Sequence, residues 1–171
     1  DNLPHLEALI RRCREIGITF LVTLYSDARG SKEQRAVAGD ASRTLLDLKA
    51  RYPEFVALRG YVGRFSRAIL QGGIGPCHAG RNLCNIDCQG DVSLCIDRRE
   101  DPVGNILAED AETIRQKLLA RHASNDCRTC WTSCRGSIET LLYGGDRLAN
   151  LRDYWRMARP IPVRPVARPE P

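Results

Sequence analysis

The sequence predicts a mixed α/β protein, and three observations carry that expectation. An amphipathic helical pattern over residues 2–16 runs directly into Ile18-Thr19-Phe20-Leu21-Val22-Thr23-Leu24, a β-branched apolar run of the kind found in buried parallel strands. Two short segments, Leu83 to Cys88 and Asp91 to Ile96, flank Gln89-Gly90 as hairpin strands flank a tight turn. Further helical patterns follow the hairpin. With 171 residues and 43% hydrophobic positions, the chain can bury a real core yet is short for two ordinary domains, so one compact domain with an appendage is expected.

Each element has a local reason. In the first helix Asn2 can cap, Pro4 suits the first turn, Leu6, Leu9, Ile10 and Cys13 form the apolar stripe, and Gly17 stops it. Cys13 on that stripe reads as a small buried hydrophobe. A polar loop over residues 26–31 leaves the strand, and a second helix is expected from about Asp40 to Tyr52, using Leu45, Leu48 and Tyr52, with Pro53 beyond it. Helix, strand and helix make a slice of an α/β unit without enough strands to close a sheet, so its apolar faces expect a partner. A short helix over Arg64 to Gln71 leads to Gly72-Gly73-Ile74-Gly75-Pro76, which lacks the spacing of a phosphate loop and reads as a hinge. Cys95 falls near the end of the second hairpin strand. A third helix spans about Asp110 to His122, carrying Ile114, Leu118 and Leu119, and a last helical stretch runs from Ser137, interrupted at Gly144-Gly145, to about Met157. The final fourteen residues hold five of the nine prolines and are expected to form an extended tail.

Charge and hydropathy narrow the partners. The formal charge is +5, but much of the surplus lies at the C-terminus, where Arg156, Arg159, Arg164 and Arg168 outnumber Glu170. The rest of the chain is too nearly neutral for a phosphate-binding face, and no nucleic-acid partner is expected. No run approaches the roughly 18 apolar residues of a membrane-spanning helix, so no membrane partner is expected either. Asp1-Asn2-Leu3-Pro4-His5 is not laid out as a secretory signal, and a soluble, cytoplasmic protein is expected. A start without Met predicts a processed chain or a piece of a longer one.

The chemistry lies in the eight cysteines, Cys13, Cys77, Cys84, Cys88, Cys95, Cys127, Cys130 and Cys134, seven of them between residues 77 and 134. Clustering in a chain of intracellular character points to metal or redox chemistry in preference to a disulfide scaffold. Cys127-x2-Cys130 can turn both sulfurs toward one metal, and thiolates suit zinc and iron–sulfur clusters alike. Cys134 lies four residues on, where a helix start would share that face. Cys77 and Cys95, at the entrance and exit of the hairpin, supply the other half of a four-thiolate site. The inventory by itself admits zinc and iron–sulfur equally. A thioredoxin-like dithiol is disfavoured, because the pair follows a helix and does not join a strand to one. His78, beside Cys77, reads as a hydrogen-bonding loop residue, and His5 and His122 as surface positions.

Cys77-His-Ala-Gly, Ile86-Asp87, Gly90-Asp91-Val92 leading to Cys95, Gly104-Asn105-Ile106, and Cys127-x2-Cys130-Trp131 with Cys134-Arg135-Gly136 together resemble the SPASM/twitch domain at the C-terminus of radical S-adenosyl-L-methionine (radical SAM) enzymes. The resemblance spans about residues 75–136. It implies an auxiliary [4Fe-4S] cluster held by Cys77, Cys95, Cys127 and Cys130, with Cys84, Cys88 and Cys134 as further ligands or packing residues. With no cysteine after Cys134, it implies one cluster, the smaller twitch arrangement. It also implies a division into residues 1–74, the last strand and helices of a partial (β/α)6 barrel; 75–157, the auxiliary-cluster domain with its C-terminal helices; and 158–171, a Pro/Arg-rich tail. The radical-generating Cys-x3-Cys-x2-Cys motif is missing, since Cys127-x2-Cys130-x3-Cys134 has its intervals reversed and Cys84-x3-Cys88 lacks a third member. The segment is therefore not expected to be catalytic alone. S-adenosylmethionine and a second [4Fe-4S] cluster would bind a preceding barrel, in the same chain or a separate subunit, acting on a peptide or small-molecule substrate in an oxidoreductase reaction. The auxiliary cluster would pass electrons or position substrate. A zinc-stabilised structural or interaction module is the rival.

Overall fold

The computed structural model describes residues 2–24 and 40–158. The polar loop expected at 26–31 and the tail from residue 159 lie outside the described residues. In chain order the elements are α1 (Leu6–Glu15), α2 (Ala41–Arg51), α3 (Arg59–Val62), α4 (Phe65–Gln71), β1 (Asn85–Ile86), β2 (Asp91–Ser93), β3 (Gly104–Asn105), α5 (Ala111–Ala123), α6 (Ser133–Tyr143) and α7 (Arg147–Met157). The chain is mixed α and β, with a three-stranded antiparallel sheet in the order β1-β2-β3.

A 3-10 turn, Leu3–His5, leads into α1, which buries Leu6 and Ile10. Leu9 stays half exposed, and Cys13 is half-buried where full enclosure is expected. The apolar run after α1 is not the enclosed parallel strand its composition predicts. Phe20 alone bridges in parallel to the chain near Phe55, donating to Glu54 O at 2.8 Å and accepting from Val56 N–H at 2.9 Å. Ile18 and Leu21 remain 51% exposed. A parallel strand is enclosed only with neighbours on both edges, and this one has a single neighbour among the described residues.

Helix α2 begins where Asp40 accepts from the Arg43 N–H, and it turns Leu45 and Leu48 inward. Helix α3 is not apparent from its sequence, because Leu58 at its N-cap has no polar side chain to offer. Its orphan donors are satisfied from α7: Asp153 Oδ2 accepts from Arg59 N–H at 2.8 Å, and Asn150 Oδ1 from Gly60 N–H at 3.1 Å. Both side chains are essentially buried.

The hairpin pairs Asn85 with Ser93 and Ile86 with Val92, and β3 adds Asn105 opposite Asp91. At the turn Asp87 Oδ1 accepts from the N–H groups of Gln89 and Asp91, and Gly90 adopts φ 87°, which a side chain would resist. The two-residue β3 carries no alternation to announce it. Asn105 holds it in place, donating to Gln89 O at 3.0 Å and Asp91 Oδ1 at 2.8 Å.

Two apolar cores result. The first gathers Ile10, Leu45, Phe55, Leu58, Tyr61, Val62, Phe65 and Ile74 with Trp131. The second joins Cys77, Ala79, Val92 and Leu94 to Ile114 and Leu118 of α5. Helices α6 and α7 pack on α3. The last helical stretch thus returns to the first core, starting at Ser133, four residues ahead of the expected Ser137.

Candidate metal centre

The four expected ligands come from three places. Cys77 follows the glycine-rich segment and is buried; Cys95 lies just past β2, at the head of a 3-10 turn, Ile96–Arg98; Cys127 and Cys130 sit in the loop between α5 and α6. Cys77 and Cys127, fifty residues apart in the chain, share a thiol–thiol hydrogen bond. That bond raises the pKa of Cys77, with burial adding to it, and lowers that of Cys127, so the two thiols titrate as a unit with ionisation favoured at Cys127. Thr129 and Arg135 also favour the thiolate. Burial raises Cys95, and charge on Asp97 and then on Cys130 raises it further, which puts Cys95 within electrostatic reach of Cys130. The donors are all sulfur, the set that zinc and iron–sulfur centres take. With the side chains as they stand, no group of three or more His, Cys, Asp or Glu among the described residues has the geometry to hold a metal ion. Cys84, Cys88 and Cys134 are exposed.

Asn125 ties the two cysteine segments together. Its Nδ2 donates to Cys77 O at 3.0 Å, and its Oδ1 accepts from Cys127 N–H at 3.3 Å. Trp131, next to Cys130, is 1% exposed and donates through Nε1 to Tyr61 O at 3.0 Å, so the Cys127–Cys130 loop is plugged into the first core. Tyr61 stacks edge-on against Phe65 behind it, at 4.9 Å between centroids.

The glycine cluster expected as a hinge is a strap, open at Gly72 and tightly packed at Gly73 and Gly75. At Gly73 φ is 141°, and a Cβ there would meet Cys130 N and Thr129 C at 2.6 Å. Ile74 N–H donates to Cys130 O at 3.3 Å. Glycine is needed because one backbone lies directly on another.

Arg135 locks strap and loop together. Its guanidinium donates to the carbonyls of Ile74, Pro76 (3.0 Å) and Cys130 (2.8 Å), approaches Cys130 Sγ at 3.6 Å, and pairs through Nε with Glu139 at 3.0 Å. Arg135 is 3% exposed and Glu139 5%. Glu139 Oε1 also accepts from His78 N–H at 3.0 Å, and the His78 ring stacks on Tyr143 at 4.2 Å. His78 Nδ1 is buried without a hydrogen-bond partner among the described residues. His122 is no simple surface residue, since its Nδ1 is 3.0 Å from Ala79 O. Glu139 and Asn125 give no periodic or motif signal; Arg135 stands in the Cys134-Arg135-Gly136 run of the resemblance, which assigns it no role.

On the sheet and α5 an open cleft of about 370 Å³ is lined by Leu83, Ile86, Val92, Ile114 and Leu118, with Arg81 at its edge. None of the four expected ligands lines it. No described helix is long and apolar enough to cross a membrane. Compared with known proteins, the chain matches no family model, no curated protein and no solved structure.

Proposed function

We propose that the chain binds one [4Fe-4S] cluster through Cys77, Cys95, Cys127 and Cys130 and uses it as an electron-transfer centre. In this reading it is the C-terminal part of a cytoplasmic radical SAM enzyme, with residues 1–74 completing a partial barrel and the hairpin region forming a twitch domain. The radical-generating cluster and S-adenosylmethionine belong to the rest of that enzyme. The observation that supports the proposal is the meeting of the two cysteine segments: Asn125 bridges Cys77 O and Cys127 N–H, Arg135 binds Pro76 O, Cys130 O and Cys130 Sγ, and the Cys77 and Cys127 thiols interact directly. Four thiolates saturate the four irons and leave no site open to substrate, which favours electron transfer over substrate ligation.

Anaerobic reconstitution with iron and sulfide is expected to load about four irons and about four sulfides per chain, with broad visible absorption that bleaches on reduction. Alanine at Cys77, Cys95, Cys127 or Cys130 is expected to reduce that loading severely, whereas alanine at Cys13, Cys84 or Cys88 leaves it intact. A colourless protein that takes up only zinc would overturn the proposal and favour a zinc-stabilised module.

A further inference from the structure

We infer that Arg135 sets the electron affinity of the centre at Cys77, Cys95, Cys127 and Cys130, its buried positive charge stabilising the reduced state through Cys130. The inference rests on the proposed iron–sulfur reading. Arg135 is 3% exposed and cannot shed its proton, so the interior carries a permanent cation whose burial is costly. Binding three carbonyls does not by itself call for a charge, because a neutral amide also donates to carbonyls. What a neutral donor cannot supply is the field at the sulfurs. Nη1 lies 3.6 Å from Cys130 Sγ and donates to the same residue's carbonyl at 2.8 Å, which holds the charge against that sulfur.

The sign follows from the charges. A four-thiolate [4Fe-4S] centre gains one unit of negative charge when it takes one electron from an external reductant, so a nearby cation stabilises the reduced form more than the oxidised form and raises the potential. Glu139 works against this. It pairs with Nε, on the edge of the guanidinium directed away from the Cys130 sulfur contact, and partly cancels the field. Arg135 and Glu139 are therefore positioning residues with opposite electrostatic effects on one centre.

The test is a dithionite redox titration of the reconstituted full chain, followed by the electron paramagnetic resonance of the reduced centre, with iron and sulfide content measured in parallel. Arg135→Gln is expected to lower the midpoint potential and Glu139→Gln to raise it. Arg135→Lys, which keeps the charge, is expected to stay nearer the wild type than Arg135→Gln. The double variant R135Q/E139Q removes both buried charges and is expected to fall below the wild type by less than the single Arg135→Gln. Should Arg135→Gln fail to fold, Glu139→Gln still decides, since a midpoint potential at or below the wild type at wild-type iron content overturns the inference. A purely structural role shifts all variants the same way or none, and that outcome at wild-type iron content overturns the inference. A wild-type chain that binds no iron overturns the iron–sulfur reading instead.

Discussion

Glu7 holds three donors at once. Its carboxylate accepts from the Tyr52 hydroxyl at 2.6 Å, from Arg51 at 2.7 Å and from Arg11 at 2.9 Å, which together lower its pKa from 4.5 to about 2. A carboxyl whose pKa is lower in the folded state stabilises the fold above its unfolded value, and that contribution is lost as pH falls through the folded value. Glu7→Gln is therefore expected to flatten the loss of stability between pH 4.5 and about 2 relative to the wild type, as read from urea unfolding at a series of pH values. The helix that carries Glu7 is legible from its own spacing, but Tyr52 and Arg51 are more than forty residues away, and no local pattern reveals them. The same limit applies at the candidate site. Cysteine spacing nominates ligands, whereas Asn125 and Glu139 serve through contacts fifty or sixty residues distant.

Among the elements, α6 meets α3 through a glycine. A Cβ on Gly136 would lie 2.6 Å from Tyr61 Cε2 and 3.1 Å from Trp131 Cε2, both within the first core. Gly136→Ala is expected to cost about 2 kcal/mol, although alanine is the better helix former, because overpacking outweighs propensity. Gly145, between α6 and α7, faces open space, and Gly145→Ala is expected to stay within about 0.5 kcal/mol of the wild type. Urea denaturation of the two variants side by side reads the contrast. Helices α2 and α5 are readable because Asp40 and Asp110 cap them locally and leucines repeat along them. Helix α3 is not, since its caps sit on α7. The strap at residues 72–76 misleads for a related reason: glycine signals freedom when read alone, and here it signals a backbone lying against Cys130.

Across the whole molecule, packing does not follow chain order. The two apolar cores separate near residue 75, yet Trp131, α6 and α7 come back to the first after the chain has built the second. Alternation and periodicity report neighbours in sequence, so the mixed α/β character is legible while this return is not. One consequence is optical. Of the two tryptophans, Trp131 is sealed beside Cys130, whereas Trp155 on α7 is 63% exposed. Their fluorescence separates accordingly. Acrylamide is expected to extinguish the red-shifted emission of Trp155 and leave a blue-shifted band from Trp131, which the proposed iron–sulfur chromophore would quench by energy transfer, so under that reading the chain carries its own lamp for following cluster loading.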